Sequence, residues 1–208
     1  MAWHGLARHG RAWNIKNRME RRMSQLHFIL KGTLPLLQHN IRSMEYGTDK
    51  IPEPEEAARR AAYFLPDGSL CMPASAVRNA MLRAAIGRKA QEERTKRKVV
   101  LMPLISGAVL FADDFFPLVD EQGNAVREYI IDIRSVNIKG RGRVPRARPR
   151  IDPPWYLVCT FNYNPDIVSL DLVRELLATA GQTIGIGDFR LEKKGPFGGF
   201  ELAEIAVK

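Results

Sequence analysis

The sequence predicts an α+β fold whose main segments follow one another as strand, helix, two strands, helix and strand. Three observations lead to this prediction. Apolar residues alternate with polar ones from residue 24, two segments with helical apolar spacing lie at 73–86 and 169–181, and an aromatic and β-branched run lies at 155–163. With 208 residues, the chain is long enough for one domain with a sizeable core and insertions.

The composition is that of an ordinary globular protein except for its charge. Hydrophobic residues make up 45% and charged residues 26%, whereas the net charge of +9 favours a polyanionic partner, most simply nucleic acid. Cys71 and Cys159 lie too far apart for a metal-ligand pair, which predicts buried free thiols in a reducing cytoplasm. The histidines are not clustered and no apolar run reaches about 18 residues, so we expect no metal, no cofactor and no membrane helix.

The N-terminal part of the chain begins with a basic segment. Residues 1–22 hold six Arg or Lys and one Glu, which fits either a nucleic-acid-binding arm or a segment upstream of a start at Met23. Residues 24–37 then alternate as the first strand. After a polar loop, residues 54–62 predict a short helix with proline at its start and acidic residues in its first turn, and Pro66-Asp67-Gly68 predicts the turn of a small hairpin.

The middle of the chain contains the second helix and several strands. Residues 73–86 predict a helix that Gly87 terminates. Its apolar face consists of Val77, Ala80, Met81, Ala84 and Ala85. The charged run 88–98 is typical of a solvated linker or helix end, and the two apolar runs in 99–116 around Gly107 predict strands. A hairpin turn follows at 121–124, and residues 129–138 alternate as another strand.

The next segment carries only positive charges. Between Ile133 and Ile151 the chain carries seven basic residues and no acidic one. Pro145 and Pro149 keep the segment extended, and such self-repelling charge favours contact with phosphates over a solvated loop. The candidate RNA-binding residues of this segment are Arg134, Lys139, Arg141, Arg143, Arg146, Arg148 and Arg150.

The C-terminal part supplies a strand, a helix, a glycine-rich loop and a last strand. The run 155–163 predicts a strand buried on both faces, and Ser169 is a plausible N-cap of a helix that ends at Gly181 in the left-handed conformation. Residues 182–199 are either a mobile surface loop or an anion-binding loop, since glycines with positive φ let backbone N–H groups approach phosphate. The candidate binding residues of this loop are Gly185, Gly187, Arg190, Lys193 and Lys194. Residues 200–207 predict the last strand.

This β-α-β-β-α-β order is that of a ferredoxin-like or RRM-like core. The order predicts a single domain over residues 23–208, with insertions near 38–70 and 88–128. The sequence contains no aromatic RNP1 motif of the kind with which RRM domains stack bases. We therefore expect binding through the nucleic-acid backbone and the glycine-rich loop.

Two segments match motifs that occur together, and in this order, in one protein family. CMPASAVRNAMLRAA (71–85) has the pattern strand–Pro–small–Ser–helix, with Asn79 where glycine is common, and GIGDFRLEKKGPFGGF (185–200) is a glycine-rich segment after a short helix. In both respects the chain resembles the RAMP superfamily of CRISPR-associated proteins, and in particular the backbone subunits that polymerise along a guide RNA. The resemblance implies the same fold, with the insertions as thumb and web, and adds Ser75 and Arg78 to the RNA-binding residues.

The leading hypothesis is therefore a guide-RNA-binding backbone subunit of a CRISPR ribonucleoprotein effector in antiviral defence. It would bind single-stranded RNA through the RNA backbone, contact target nucleic acid, and assemble head to tail with copies of itself and with other effector subunits. One alternative is a RAMP-family endoribonuclease, which is metal-dependent if Asp49 in the loop after the first strand is catalytic, or which processes transcripts with His27 or His39. Another alternative is a phage single-stranded-DNA-binding protein. Enzymatic activity is the less favoured reading, because no nucleophile–base pair or paired carboxylates stand out.

Overall fold

The structure is a computed structural model that describes residues 23–40, 52–93, 95–138 and 142–207. The basic segment 1–22, Asp49, Lys139 and Arg141 lie outside the described residues. Within them, every helix is too short or too polar to cross a membrane.

The described chain forms eleven strands and four α-helices. The strands are β1 (Ser24–Gly32), β2 (Leu36–Leu37), β3 (Cys71–Pro73), β4 (Lys89–Gln91), β5 (Lys98–Val100), β6 (Val109–Phe111), β7 (Phe115–Val119), β8 (Ile130–Ile138), β9 (Gly142–Ile151), β10 (Tyr156–Tyr163) and β11 (Phe200–Val207). The helices are α1 (Pro54–Ala61), α2 (Ala74–Ala84), α3 (Leu101–Ala108) and α4 (Leu170–Thr179).

The main sheet is antiparallel and has β1 near its centre. Its order is β11-β1-β10-β7-β3, and β6 also pairs with β10. Alternate residues of β1 and β10 are buried on one face, where Phe28 and Phe161 meet edge to face with ring centroids 5.4 Å apart. Buried residues of α2 and α4 belong to the same core. The architecture is a mixed arrangement of antiparallel sheets and helices.

A second sheet carries the basic segment. Its order is β2-β9-β8, and β8 and β9 pair without a break from Ile130 opposite Arg150 to Ile138 opposite Gly142. Helix α1 packs against β9. The predicted extended segment is thus a paired strand that tolerates Pro145 and Pro149, and its arginines are fixed at defined register positions.

Several elements differ from the sequence-based expectation, each for a local reason. The predicted first strand 24–37 is two strands in different sheets, because the chain leaves the main sheet at Gly32, where an added Cβ would lie 2.1 Å from the Trp155 ring. The charged run expected as a linker contains the β4–β5 hairpin. Residues 101–108, expected as strand, are helix α3, whose buried Leu101, Ile105 and Ala108 lie on one helical face.

In two strands, the exposed residues differ from those that the pattern of apolar and polar residues predicted. In β8, Asp132 is buried at 6% exposure while Ile133 is 56% exposed. In β10, expected to be buried on both faces, Val158 is 38% exposed, so one face of the sheet is partly open. The turn around residues 66–68 is present, but only Phe64 and Leu70 pair across it, and β3 pairs with β7 instead.

The two main helices agree with the sequence prediction in the start of α4 and in the buried face of α2. Ser169 caps α4, where its Oγ accepts a hydrogen bond from Leu172 N at 3.2 Å. All five predicted apolar residues of α2 are buried, and Gly87 beyond its end has a φ of 74°. Gly181, in contrast, lies in a π-helical turn without positive φ, and it is glycine because an added Cβ would lie 1.9 Å from Phe200 O. Both cysteines are free and buried, and burial raises the pKa of Cys71 to about 11.

Candidate nucleic-acid interface

A cavity of about 580 Å³ lies where α2, β9 and the glycine-rich loop meet. This volume is within the range of ligand sites, roughly 300–1,000 Å³. Five of the predicted binding residues line it, from three separate parts of the sequence: Ser75, Arg146, Gly185, Gly187 and Arg190. The fold therefore brings the glycine-rich loop and the basic strand to one cavity.

One face of α2 forms a wall of this cavity. Ser75, Asn79 and Arg83 follow each other at four-residue spacing, line the cavity and are exposed. The helix has no side-chain N-cap, and Pro73 and Ala76 beside its first turn also line the cavity. Ala74 N donates a hydrogen bond to Asp114 O at 2.8 Å. The positive end of the helix dipole nevertheless faces the cavity, which favours an anion.

The glycine-rich loop is held against the protein's own backbone. Gly185, Gly187 and Gly198 have φ between 72° and 81°, as predicted for this loop. An added Cβ on Gly187 would lie 2.5 Å from Leu37 O, and one on Gly195 would lie 1.6 Å from Phe189 O. The close approach that requires glycine is therefore to neighbouring segments of this chain. It gives the loop one fixed, packed conformation.

Asp188, within this loop, joins three segments of the chain. Its Oδ2 lies 2.6 Å from Arg148 Nη1 and 3.0 Å from His39 Nδ1, and its Oδ1 accepts a hydrogen bond from Phe189 N. Burial raises the pKa of Asp188, but the hydrogen bonds from His39, Arg148 and Phe189 and the charge of Arg148 outweigh it and hold the pKa well below its usual value. The carboxylate thus ties the loop to β9 and to the segment after β2.

Glu192 makes a second carboxylate bridge at the rim. It accepts hydrogen bonds from Arg83 of α2 and, at 2.8 Å, from Arg190 Nη2. Burial raises the pKa of Glu192, but the two arginines outweigh it and hold the pKa below its usual value. Both arginines remain at the cavity while sharing one counter-charge, so the wall retains positive charge.

The remaining predicted residues fall into two groups. Within the described residues, Arg143, Arg146, Lys193 and Lys194 form no ion pair with a carboxylate, and all except the half-buried Arg146 are exposed. The others have partners in the protein. Arg78 donates to Ser106 O at 2.7 Å and to Val109 O, Arg134 and Arg150 pair with Asp132 at 2.7 and 3.7 Å, and Arg148 is 3% exposed.

Sequence reasoning did not select several residues of the cavity. Asn79 and Arg83 could have been found from their helical spacing with Ser75, whereas Tyr63 and Asp188 carried no local signal. His39, considered only as a nuclease candidate, lines the cavity; His27 lies on β1, with Nε2 3.0 Å from Gln25 Oε1. Within the described residues, no three His, Cys, Asp or Glu gather as ligands for a metal ion.

Comparison with known proteins identifies a related fold. No family model and no curated protein matches this chain. Among solved structures, 43 chains match. One belongs to the cryo-EM structure of the Type III-B Cmr-beta bound to cognate target RNA, with a TM-score of 0.52 and 11% sequence identity over 99% of this chain and 68% of that one. This chain therefore shares its fold with a subunit of a Cmr-beta complex.

Proposed function

We propose that this protein is a RAMP-type backbone subunit of a CRISPR effector that binds single-stranded guide RNA through its phosphates. The observation that carries the proposal is the meeting of Ser75, Arg146 and the 185–190 loop, three separate parts of the sequence, at one cavity. The shared fold with a chain of the RNA-bound Cmr-beta complex supports it.

The charges at the cavity fit a phosphodiester backbone. Arg146 extends from β9 without a carboxylate partner among the described residues, and Arg83 and Arg190 share the single charge of Glu192. Together with the positive end of the α2 dipole, they supply positive charge, and contacts between such charge and phosphate do not read base identity. Sequence-independent binding is what a guide-carrying subunit requires.

The topology supports a ferredoxin-like core. The main sheet has the order β11, β1, β10 and then β6 with β7, which is last, first, third and second along the chain. A ferredoxin-like sheet has this order, with its two helices on one face, as α2 and α4 are here. The second position is filled by β6 and β7 from the range 88–128 expected as an insertion, whereas the expected core strand 129–138 is β8 of the second sheet. The β8–β9 hairpin lies outside that sheet, and in this proposal it is an insertion that contacts the RNA and the neighbouring subunit.

Salt dependence of RNA binding tests the proposal. Each phosphate contact on a single strand contributes about −0.7 to the slope of log affinity against log salt. We expect Arg146→Ala to flatten the slope by about that amount. The matched control is Arg174→Ala, which removes the same charge from a side chain on α4 paired with Asp171. An unchanged slope for Arg146→Ala would contradict the assignment.

Two further measurements separate the alternatives. Competition between RNA and DNA of one sequence distinguishes a guide-RNA subunit from a single-stranded-DNA-binding protein. Recovery of the bound RNA after incubation with and without divalent cations tests for an endoribonuclease, and intact RNA contradicts that activity.

A further inference from the structure

A second cavity continues the first one and has a different chemical character. It has a volume of about 490 Å³ and shares Tyr63, Pro73 and Ser75 with the cation-lined cavity. Phe111 and Phe115 line it, and they are 39% and 41% exposed. The two cavities therefore form one groove, with arginines at one end and aromatic rings at the other.

Among the described residues, the charge of the second cavity does not favour a phosphate. The one charged residue of the described chain that lines it is Asp114, a carboxylate that repels phosphate. The first cavity is lined by Arg83, Arg146 and Arg190, and its one carboxylate, that of Asp188, is paired with Arg148. A neutral, flat group with an aromatic face suits two exposed phenylalanines better. A nucleobase offers such a face, and it is joined through its sugar to the phosphate that the arginines would hold.

The fold places the two rings side by side and holds the Phe111 ring. Phe111 ends β6 and Phe115 begins β7, so one short turn presents both. The Arg78 guanidinium lies 5.4 Å from the centroid of the Phe111 ring, and Phe161 contacts the same ring from the core at 5.9 Å. Arg78 also donates hydrogen bonds to backbone carbonyls at 2.7 and 3.2 Å, which fix its guanidinium. A ring fixed in this way loses little conformational freedom when a base stacks on it.

We infer that this aromatic cavity, next to the cation-lined cavity, stacks one base of the bound single strand on Phe115 and Phe111. This inference rests on the proposed function, because the arginines must hold the adjacent phosphate. It adds a base contact to a site that the sequence predicted to act through the backbone alone. Arg78 then has a positioning role, since it holds the Phe111 ring and does not contact phosphate.

The test uses the full chain and single-stranded RNA oligonucleotides. Base–aromatic stacking predicts that Phe115→Ala weakens binding about 5- to 150-fold and leaves the salt slope unchanged, because no phosphate contact is lost. Phe115→Leu, which keeps an apolar side chain but no ring, should lose most of that affinity as well. The control is Phe64→Ala, since Phe64 is equally exposed at 41% but lines neither cavity.

Photocrosslinking provides a readout that a folding defect does not imitate. RNA that carries 5-iodouridine should crosslink to Phe115 or Phe111 of the wild-type protein, as mapped by mass spectrometry. Crosslinks confined to other residues, or equal affinity of wild type and Phe115→Ala, would overturn the stacking inference while leaving phosphate binding in place. Failure of wild-type protein to bind any single strand would overturn the proposed function and this inference together.

Discussion

Replacing Asp188 with asparagine removes the carboxylate that neutralises an arginine inside the protein. The Arg148 side chain is 4% exposed, and its Nη1 lies 2.6 Å from Asp188 Oδ2. Arginine stays protonated in proteins, so Asp188→Asn leaves its charge buried without a counter-ion. Within the described residues, Arg148 Nε is also buried without a hydrogen-bond partner, so the guanidinium depends on this contact.

The expected loss follows from the exposure of the two partners. Breaking a fully buried ion pair from one side costs about 3–5 kcal/mol. The Asp188 side chain is 34% exposed, and an asparagine amide oxygen can still accept a hydrogen bond from Arg148. We therefore expect the free energy of unfolding to fall by about 2–3 kcal/mol, below that range. With a urea m-value of about 2–3 kcal/mol/M, the midpoint should fall by about 1 M.

Urea denaturation followed by circular dichroism measures this change. The control is Asp171→Asn, which removes the same charge from an exposed pair with Arg174, and it should cost at most about 0.5 kcal/mol. Adding Arg148→Met to Asp188→Asn should recover most of the loss, because the unpaired charge is removed as well. If Asp188→Asn shifts the midpoint no more than Asp171→Asn does, the argument from burial is wrong.

Three further predictions concern this loop and helix α3. Because folding lowers the pKa of Asp188, the carboxylate stabilises the folded protein fully at a pH above the unfolded pKa of about 3.9, and this stabilisation is lost as the pH falls toward the folded pKa. Below pH 4, the free energy of unfolding should therefore fall less steeply with decreasing pH in Asp188→Asn than in the wild-type protein. Equal slopes would contradict the lowered pKa. Gly187→Ala should lower the free energy of unfolding by about 1–3 kcal/mol, because its φ is 81° and its Cβ would meet Leu37 O. Gly107→Ala, in helix α3 with open space around the new Cβ, should raise the free energy of unfolding by about 0.5–1 kcal/mol. If thermal or urea unfolding shows Gly187→Ala to be more stable than Gly107→Ala, this reasoning is wrong.

Elements set by local periodicity were predictable from the sequence. The alternation around Phe28 placed β1, the apolar stripe around Val77 placed α2, and Ser169 marked the start of α4. Helix α3 was mistaken for strand because its short apolar run fits either period, and only its packing through Leu101 and Ile105 separates them.

Long-range charge pairing lay beyond local patterns. Asp188 lies 40 residues from Arg148 and 149 from His39 in the sequence, so no spacing links them. Likewise, Asp132 is buried in β8, against the alternation of its apolar neighbours, because Arg134 and Arg150 pair with it. The sequence could therefore predict a basic segment and a glycine-rich loop, but not which arginines are bound internally and which face the cavity.

The packing of the glycine-rich loop limits what its sequence motif can report. Gly187 and Gly195 are required by the carbonyl oxygens of Leu37 and Phe189, atoms of this same chain, whatever the loop binds. A variant of this chain without the proposed nucleic-acid binding would still need these glycines in order to fold. The glycines therefore report how the loop is packed, whereas the proposed binding depends on side chains that folding does not need, such as Arg146 and Phe115. A search for other proteins with the proposed function should weigh those two positions above the glycines.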